Sequence, residues 1–256
     1  KRETALEEVS GAGGGVTEIS DQTGLGVRVE DIKRAFDQFL IDKVRQTQAL
    51  YQKADTYLDE VKDLENLLLP SDANLSNAIG EFFGSLQQIA AAPDDQAPRI
   101  ISIEKGKDLA GQFNLYSDRI DTLKEKIFDK AENAVTSVNL LSNQISVING
   151  KLLSSGSGNS SNALLDQRDI LIDQMSEVCQ ISVTYINKGA AQIRLGNSGS
   201  GPVIVEPESA ISAGSSQSPS TIPINVIKQG TRLQTVVGSG NVATNQIQGG
   251  IIAGLV

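Results

Sequence analysis

The feature that most constrains this chain is an apolar pattern of helical spacing that runs from about Gln96 to about Asn149. Its apolar positions follow each other at steps of three and four residues, in two runs joined by one shifted step through Ala131: Phe113, Tyr116, Ile120, Leu123 and Ile127, then Ala134, Val138, Leu141, Ile145, Ile148 and Leu152. A continuous helix of this length spans on the order of 80 Å, because each residue advances a helix by about 1.5 Å. No compact domain of 256 residues is that wide, so the sequence predicts an elongated molecule.

Three further helices are predicted beside the long one. The first runs from about Glu30 to Leu69, the second from about Ala73 to Ala92, and the last from about Asn162 to Val178 after a turn rich in Ser and Gly. The first helix carries a heptad seam, with steps of four and three residues through Leu50, Ala54, Tyr57, Val61, Leu64 and Leu68. We therefore expect residues 29–178 to form a coiled-coil-like rod of long antiparallel helices.

The apolar pattern changes period after Val178. Short runs alternate apolar and polar residues, which is typical of antiparallel hairpins: Ile181, Val183 and Tyr185, then Ile193 and Leu195, Val203 and Val205, Ile224 and Val226, and Leu233, Thr235 and Val237. Residues 206–221 are predicted to be loop, and the chain is expected to stop at Val256 in β-like sequence. The fold class is thus α+β, with a small antiparallel β domain at 179–256 and an extended or flexible segment at 1–28.

Composition excludes most catalytic machinery. The chain contains no His, no Trp and one cysteine, so catalytic triads, His-ligated zinc and internal disulfides are impossible within it. Its formal net charge of −9 opposes binding to nucleic acid phosphates. No apolar run approaches the roughly 20 residues that a membrane span needs. Neither nucleic acid nor a membrane is therefore expected as a partner.

The few residues that could carry chemistry have simpler structural interpretations. Cys179 lies among apolar residues with no His to activate it, so we expect a buried structural thiol. Asp94 and Asp95 directly precede a helix, where acidic residues act as caps. Asp166 and Asp169 lie three residues apart beside Arg168, which favours ion pairing. We therefore predict no catalytic residue, no cofactor, no metal site and no enzymatic activity.

Two stretches carry a more specific pattern. The segment GLGVRVEDIKRAFDQFL at residues 24–40 and the segment NALLDQRD at residues 162–169 resemble, in order and spacing, the hook-associated protein FlgK family, the first of the two flagellar hook–filament junction proteins. FFGSL at residues 82–86 and PDD at residues 93–95 resemble the second helix of the family and the break that follows it. GGIIAGL at residues 249–255 is a weaker match to a Gly-rich strand that leads back toward helix.

The resemblance implies a structural component of the bacterial flagellum that forms the junction between hook and filament and is needed for filament assembly. It implies three partners: the hook protein, the second junction protein and further copies in the assembled flagellum. It also implies export to the cell exterior without a cleaved signal. Family members begin and end with polymerisation segments that have no match here, so we expect a central fragment that is monomeric in solution.

Two other classes of protein stay open from the residues alone. The chain could belong to another flagellar axial protein, either the second junction protein or a flagellin, because flagellins also have long paired helices and few aromatic residues. It could instead be a coiled-coil adhesin or scaffold whose β head binds a host or matrix ligand. The LLDQRD motif favours the first junction protein over the other axial proteins, whereas a host or matrix ligand for residues 179–256 would favour the adhesin.

Overall fold

A computed structural model of the chain describes residues 2–8, 27–34, 37–68, 75–154, 159–207, 220–230 and 232–256. The helices are α1 (Gln38–Leu68), α2 (Leu75–Ala91), α3 (Gln96–Ser154), α4 (Asn159–Val178) and α5 (Ile251–Leu255). The strands are β1 (Arg2–Glu8), β2 (Val27–Arg34), β3 (Ile181–Tyr185), β4 (Ala191–Leu195), β5 (Val203–Glu206), β6 (Ser220–Thr221), β7 (Ile224–Gln229), β8 (Arg232–Val237) and β9 (Asn241–Val242).

The long helix predicted from the sequence is confirmed as α3, which has 59 residues and therefore a length of about 90 Å. Its first turn is capped by Asp95, whose Oδ1 accepts the Ala97 N–H at 3.0 Å. α2 packs antiparallel against the N-terminal part of α3, where the Ser85 and Ser102 hydroxyls lie 3.1 Å apart. α4 and α1 pack on its C-terminal half. The helical part of the fold is thus built along α3.

The predicted start of the first helix at Glu30 is wrong. β2 occupies Val27–Arg34 and pairs antiparallel with β1, which contains the charged opening of the chain. The helix begins only after Asp37, whose Oδ1 accepts the Leu40 N–H at 3.1 Å and so caps the first turn. The alternation of Val27 and Val29 predicted a strand, and this strand extends to Arg34 because it pairs with β1. The helix therefore begins later than predicted. Residues 9–26, which include the Gly-rich stretch predicted to be flexible, lie outside the described residues.

The C-terminal part contains two antiparallel sheets. One has the strand order β3-β4-β5-β6 and the other has the order β7-β8-β9. The predicted alternation is confirmed by burial, since Val183, Ile193, Val205 and Val237 are all buried. The chain passes from one sheet to the other at Pro223, just after the Ile222 N–H donates to the Ile204 carbonyl.

Two details of the predicted C-terminal part are corrected. Ser220 and Thr221 form β6, paired with Val205 and Glu206, so the predicted loop ends before them; residues 208–219 lie outside the described residues. Residues 251–255 are helical as α5, although β-like sequence was expected there. Gly254 explains the docking of α5, because an added Cβ would lie 2.8 Å from the Lys53 carbonyl oxygen of α1.

One hydrophobic core joins the helices to the sheets. It includes buried residues from α3, α4, five strands and α5, such as Val138, Ile145, Ile172, Met175, Ile193, Ile204, Ile224 and Ile252. The division of the chain into segments 1–28, 29–178 and 179–256 stays a prediction, and this core crosses its second boundary. The far end of the rod, formed by α2 and the N-terminal part of α3, extends beyond the core.

Candidate functional site

The residues that the sequence offered as candidates for chemistry are buried in the core, cap a helix or form an ion pair. Cys179 is fully buried in the core, and burial raises the pKa of its thiol to about 12, so it is neutral and unreactive at physiological pH. Asp95 caps α3. Asp169 accepts a hydrogen bond from Nε of Arg168 at 3.0 Å. No group of three or more His, Cys, Asp or Glu side chains is arranged to hold a metal ion in the part of the chain that the structure describes.

No helix in the described ranges combines the length and the apolar character that crossing a membrane requires.

A polar cluster joins α1, α4 and β3 beneath the surface. Arg45 is almost fully buried; its Nε donates to the Asp173 carboxylate at 2.7 Å and its Nη1 donates to the Tyr185 hydroxyl at 3.0 Å. The guanidinium of Arg168 lies over the Tyr185 ring, 4.3 Å from its centroid. Burial raises the pKa of the Tyr185 hydroxyl, and the charge of Arg45 opposes that rise. The cluster therefore stabilises the contact between the helices and the sheet.

The side of α1 that packs against the rest of the protein is polar or small, not apolar. Ala49 is buried where Gly250 approaches, and the Gly250 N–H donates to the Ala49 carbonyl at 2.6 Å. Further along α1, Glu60 pairs with Lys130 of α3, and the Asp63 carboxylate accepts from the Lys126 ammonium at 2.7 Å. These contacts hold α1 to α5 and α3 through one side.

The predicted heptad seam of α1 lies on the opposite side and points to solvent. Because successive residues of a helix are rotated by about 100°, the seam positions fall roughly 100–180° away from Arg45 and Asp63. Tyr57 is 64% exposed and Leu50 is 54% exposed. We call this surface the outer face of α1; its exposed apolar residues are Phe39, Leu40, Val44, Leu50, Tyr51, Tyr57, Leu58, Val61, Leu64 and Leu68. The helix was predicted correctly, but no described element buries its seam.

A second apolar surface lies in the groove between α3 and α4. Val147 and Ile170 are more than half exposed there, and uncharged Gln144, Gln167 and Gln174 flank them. Exposed apolar surface of this extent on one molecule is typical of protein–protein contact regions. The geometry therefore supports a role in assembly along the length of the rod.

The sequence analysis did not single out two polar residues of α3 that contact the sheets. Asn139 and Asn149 of α3 each form two hydrogen bonds to a strand backbone. Asn149 is fully buried between apolar neighbours of the α3 stripe, and a polar residue in that position was the signal available in the sequence.

Comparison with known proteins places this architecture among flagellar proteins. The model of the family described as the flagellar hook-associated protein FlgK helical domain matches residues 61–256. Flagellar hook-associated protein 1 of Salmonella typhimurium is 27% identical over 190 residues, which cover 73% of this chain and 33% of that protein. The protein of the same name from Escherichia coli (strain K12) is 28% identical, covering 73% of this chain and 34% of that protein. The chain therefore spans about a third of the length of these curated relatives.

A third curated relative and a solved structure extend the comparison. Flagellar hook-associated protein 1 of Bacillus subtilis (strain 168) is 28% identical over 170 residues, 66% of this chain and 34% of that protein. The solved structure is titled as that of the flagellar hook junction protein FlgK from Burkholderia pseudomallei. It has a TM-score of 0.68 and 23% identity, and the match covers 84% of this chain and 38% of that one. This likeness shows the fold, and with it the predicted α+β class of long helices followed by small antiparallel sheets is confirmed.

Proposed function

Because this chain belongs to the family of the flagellar hook-associated protein FlgK, we propose that it is part of a structural component of the bacterial flagellum. That component forms the junction between hook and filament and is needed for the filament to assemble on the hook. The match of the family model over residues 61–256 is the observation that carries this proposal. The component acts outside the cell and has no enzymatic role.

Its partners are the hook protein on one side, the second junction protein on the other, and further copies of itself around the axis. The outer face of α1 supports this proposal, because an exposed apolar seam on a helix of 31 residues suits lateral contact with other helices. The described surface also offers the neutral groove between α3 and α4. Apolar strips along a rod let it pack against neighbouring subunits, and such a rod can join the hook to the stiffer filament. This mechanical role needs no covalent chemistry. We also propose that the isolated chain is monomeric in solution.

Electron microscopy of cells that lack the gene tests this function, with the culture medium assayed for flagellin. Hooks without filaments and monomeric flagellin in the medium are the expected result. Restoration of filaments by the full-length gene, and not by an empty vector, is the matched control. Normal filaments in the deletion strain would overturn the proposal and favour an adhesin or scaffold.

A further inference from the structure

Asn149 occupies the place of a strand residue beside β4. Its Nδ2 donates to the Ala191 carbonyl and its Oδ1 accepts the Ala191 N–H, both at 2.9 Å. The neighbouring strand β5 pairs Val205 with Ile193, and continuing that register by two residues brings Pro207 opposite Ala191. Proline has no N–H to donate, so β5 cannot complete the ladder there. The side-chain amide of Asn149 supplies the donor that a proline lacks, and its oxygen also accepts the Ala191 N–H.

Asn139 does the same for the edge strand β7. Its Nδ2 donates to the Ile224 carbonyl and its Oδ1 accepts the Ile224 N–H, both at 2.8 Å. Ile224 follows Pro223, where the chain leaves the four-stranded sheet, and among the described strands β7 pairs with β8 alone. The Pro223 carbonyl still accepts the Gly238 N–H on the β8 side, so Asn139 meets β7 along the edge that faces away from β8.

We propose that Asn139 and Asn149 are positioning residues that set the register of the two C-terminal sheets on α3. The asparagines are ten residues apart on one helix, which separates them by about 15 Å along its axis. Apolar contacts are tolerant of small shifts, whereas one pair of directional hydrogen bonds to each sheet fixes the point at which that sheet meets the helix. If the chain serves in the flagellar junction as proposed, this register decides where the sheets project from the rod.

Replacing each asparagine by leucine tests the assignment, because leucine has a similar volume and no hydrogen-bonding group. Hydrogen exchange in the isolated chain measures the result. In Asn139→Leu, the Ile224 amide should exchange about tenfold or more faster than in the wild type, and in Asn149→Leu the same holds for Ala191. Asn133→Leu is the matched control, since Asn133 is exposed on the same helix, and it should leave both amides unchanged. Exchange within about twofold of the wild type in both test variants would overturn the proposal.

The pH dependence of the thermal stability of Asn139→Asp distinguishes loss of the hydrogen bonds from a change in packing. It also provides a test if the buried leucine variant does not fold. Asn139→Asp keeps the acceptor for the Ile224 N–H but loses the donor while its carboxyl is ionised. Protonation at acid pH returns an O–H that can donate to the Ile224 carbonyl. The thermal stability of Asn139→Asp relative to the wild type should therefore recover as the pH falls from about 7 to about 4. A difference that stays constant over this range would contradict the positioning role. Both experiments use the isolated chain, so their outcome is independent of the cell assay for the proposed function.

Discussion

The burial of Ile145 leads to a quantitative prediction about which side of α3 faces the core. Ile145 is fully buried, in contact with core residues of α4 and the sheets, whereas Ile100 of the same helix is 60% exposed. Ile145→Ala removes three buried carbon atoms, each worth about 0.8 kcal/mol of transfer free energy, and leaves a cavity. We expect it to lower the free energy of unfolding by about 3 to 4 kcal/mol, which corresponds to a fall in melting temperature of roughly 6 to 16 °C.

Urea unfolding followed by circular dichroism, together with a thermal scan, measures this change. Ile100→Ala is the matched control, because it makes the same chemical change on the same helix at an exposed position. The control should be neutral or slightly stabilising, since alanine has the higher helix propensity. A loss below about 1 kcal/mol for Ile145→Ala, or equal losses for the two variants, would refute the register of α3.

The Cys179 thiol should resist a maleimide at pH 8 until the chain is unfolded, and labelling of the native chain would contradict its burial. Because burial raises the pKa of this thiol from 9.0 to about 12, the thiol ionises first in the unfolded chain. The free energy of unfolding should therefore fall between pH 9 and pH 12 by up to about 1.4 kcal/mol per pH unit more than in Cys179→Ala. Tyr185→Phe removes the acceptor of Arg45 and should cost about 1.5 to 3 kcal/mol in urea unfolding, whereas a loss under about 0.5 kcal/mol would show that the cluster does not stabilise the fold. Tyr57→Ser on the outer face of α1 should change the free energy of unfolding by less than about 0.5 kcal/mol. In the full-length protein it should still increase the flagellin shed into the medium, and unchanged shedding would exclude Tyr57 from the contact.

The parts of the fold that follow from periodicity could be predicted from the sequence. The step of three and four residues along α3 located its buried side correctly at Val138, Ile145 and Leu152, because the core lies against one straight stripe of a regular helix. The alternation after Val178 likewise located the strands. These patterns are local, so a single sequence contains them in full.

The errors arise where contacts between distant segments decide the outcome. Helical spacing continues upstream of Asp37, but pairing with β1 holds Val27–Arg34 in a strand. The seam through Tyr57 was recognised, yet spacing alone does not say which element covers it. On α1 the buried side is instead formed by a small residue and by charges that have partners on α3 and α4.

The candidate surfaces were only partly predictable for the same reason. The LLDQRD motif pointed to the family, but the motif does not indicate that Arg168 of α4 stacks on Tyr185 of β3. The asparagines that complete the ladders at Ala191 and Ile224 are 42 and 85 residues away from their partners in sequence. Contacts of that separation are set by the topology of the sheets.

Immunogold electron microscopy of intact flagella, with antibodies raised against this chain, tests the central claim most directly. If the chain is part of the junction, gold particles should lie in one narrow band where the hook meets the filament, and none should appear on cells that lack the gene. Label along the whole filament would instead indicate a flagellin. Label on the cell surface away from flagella would contradict the junction role and indicate an adhesin.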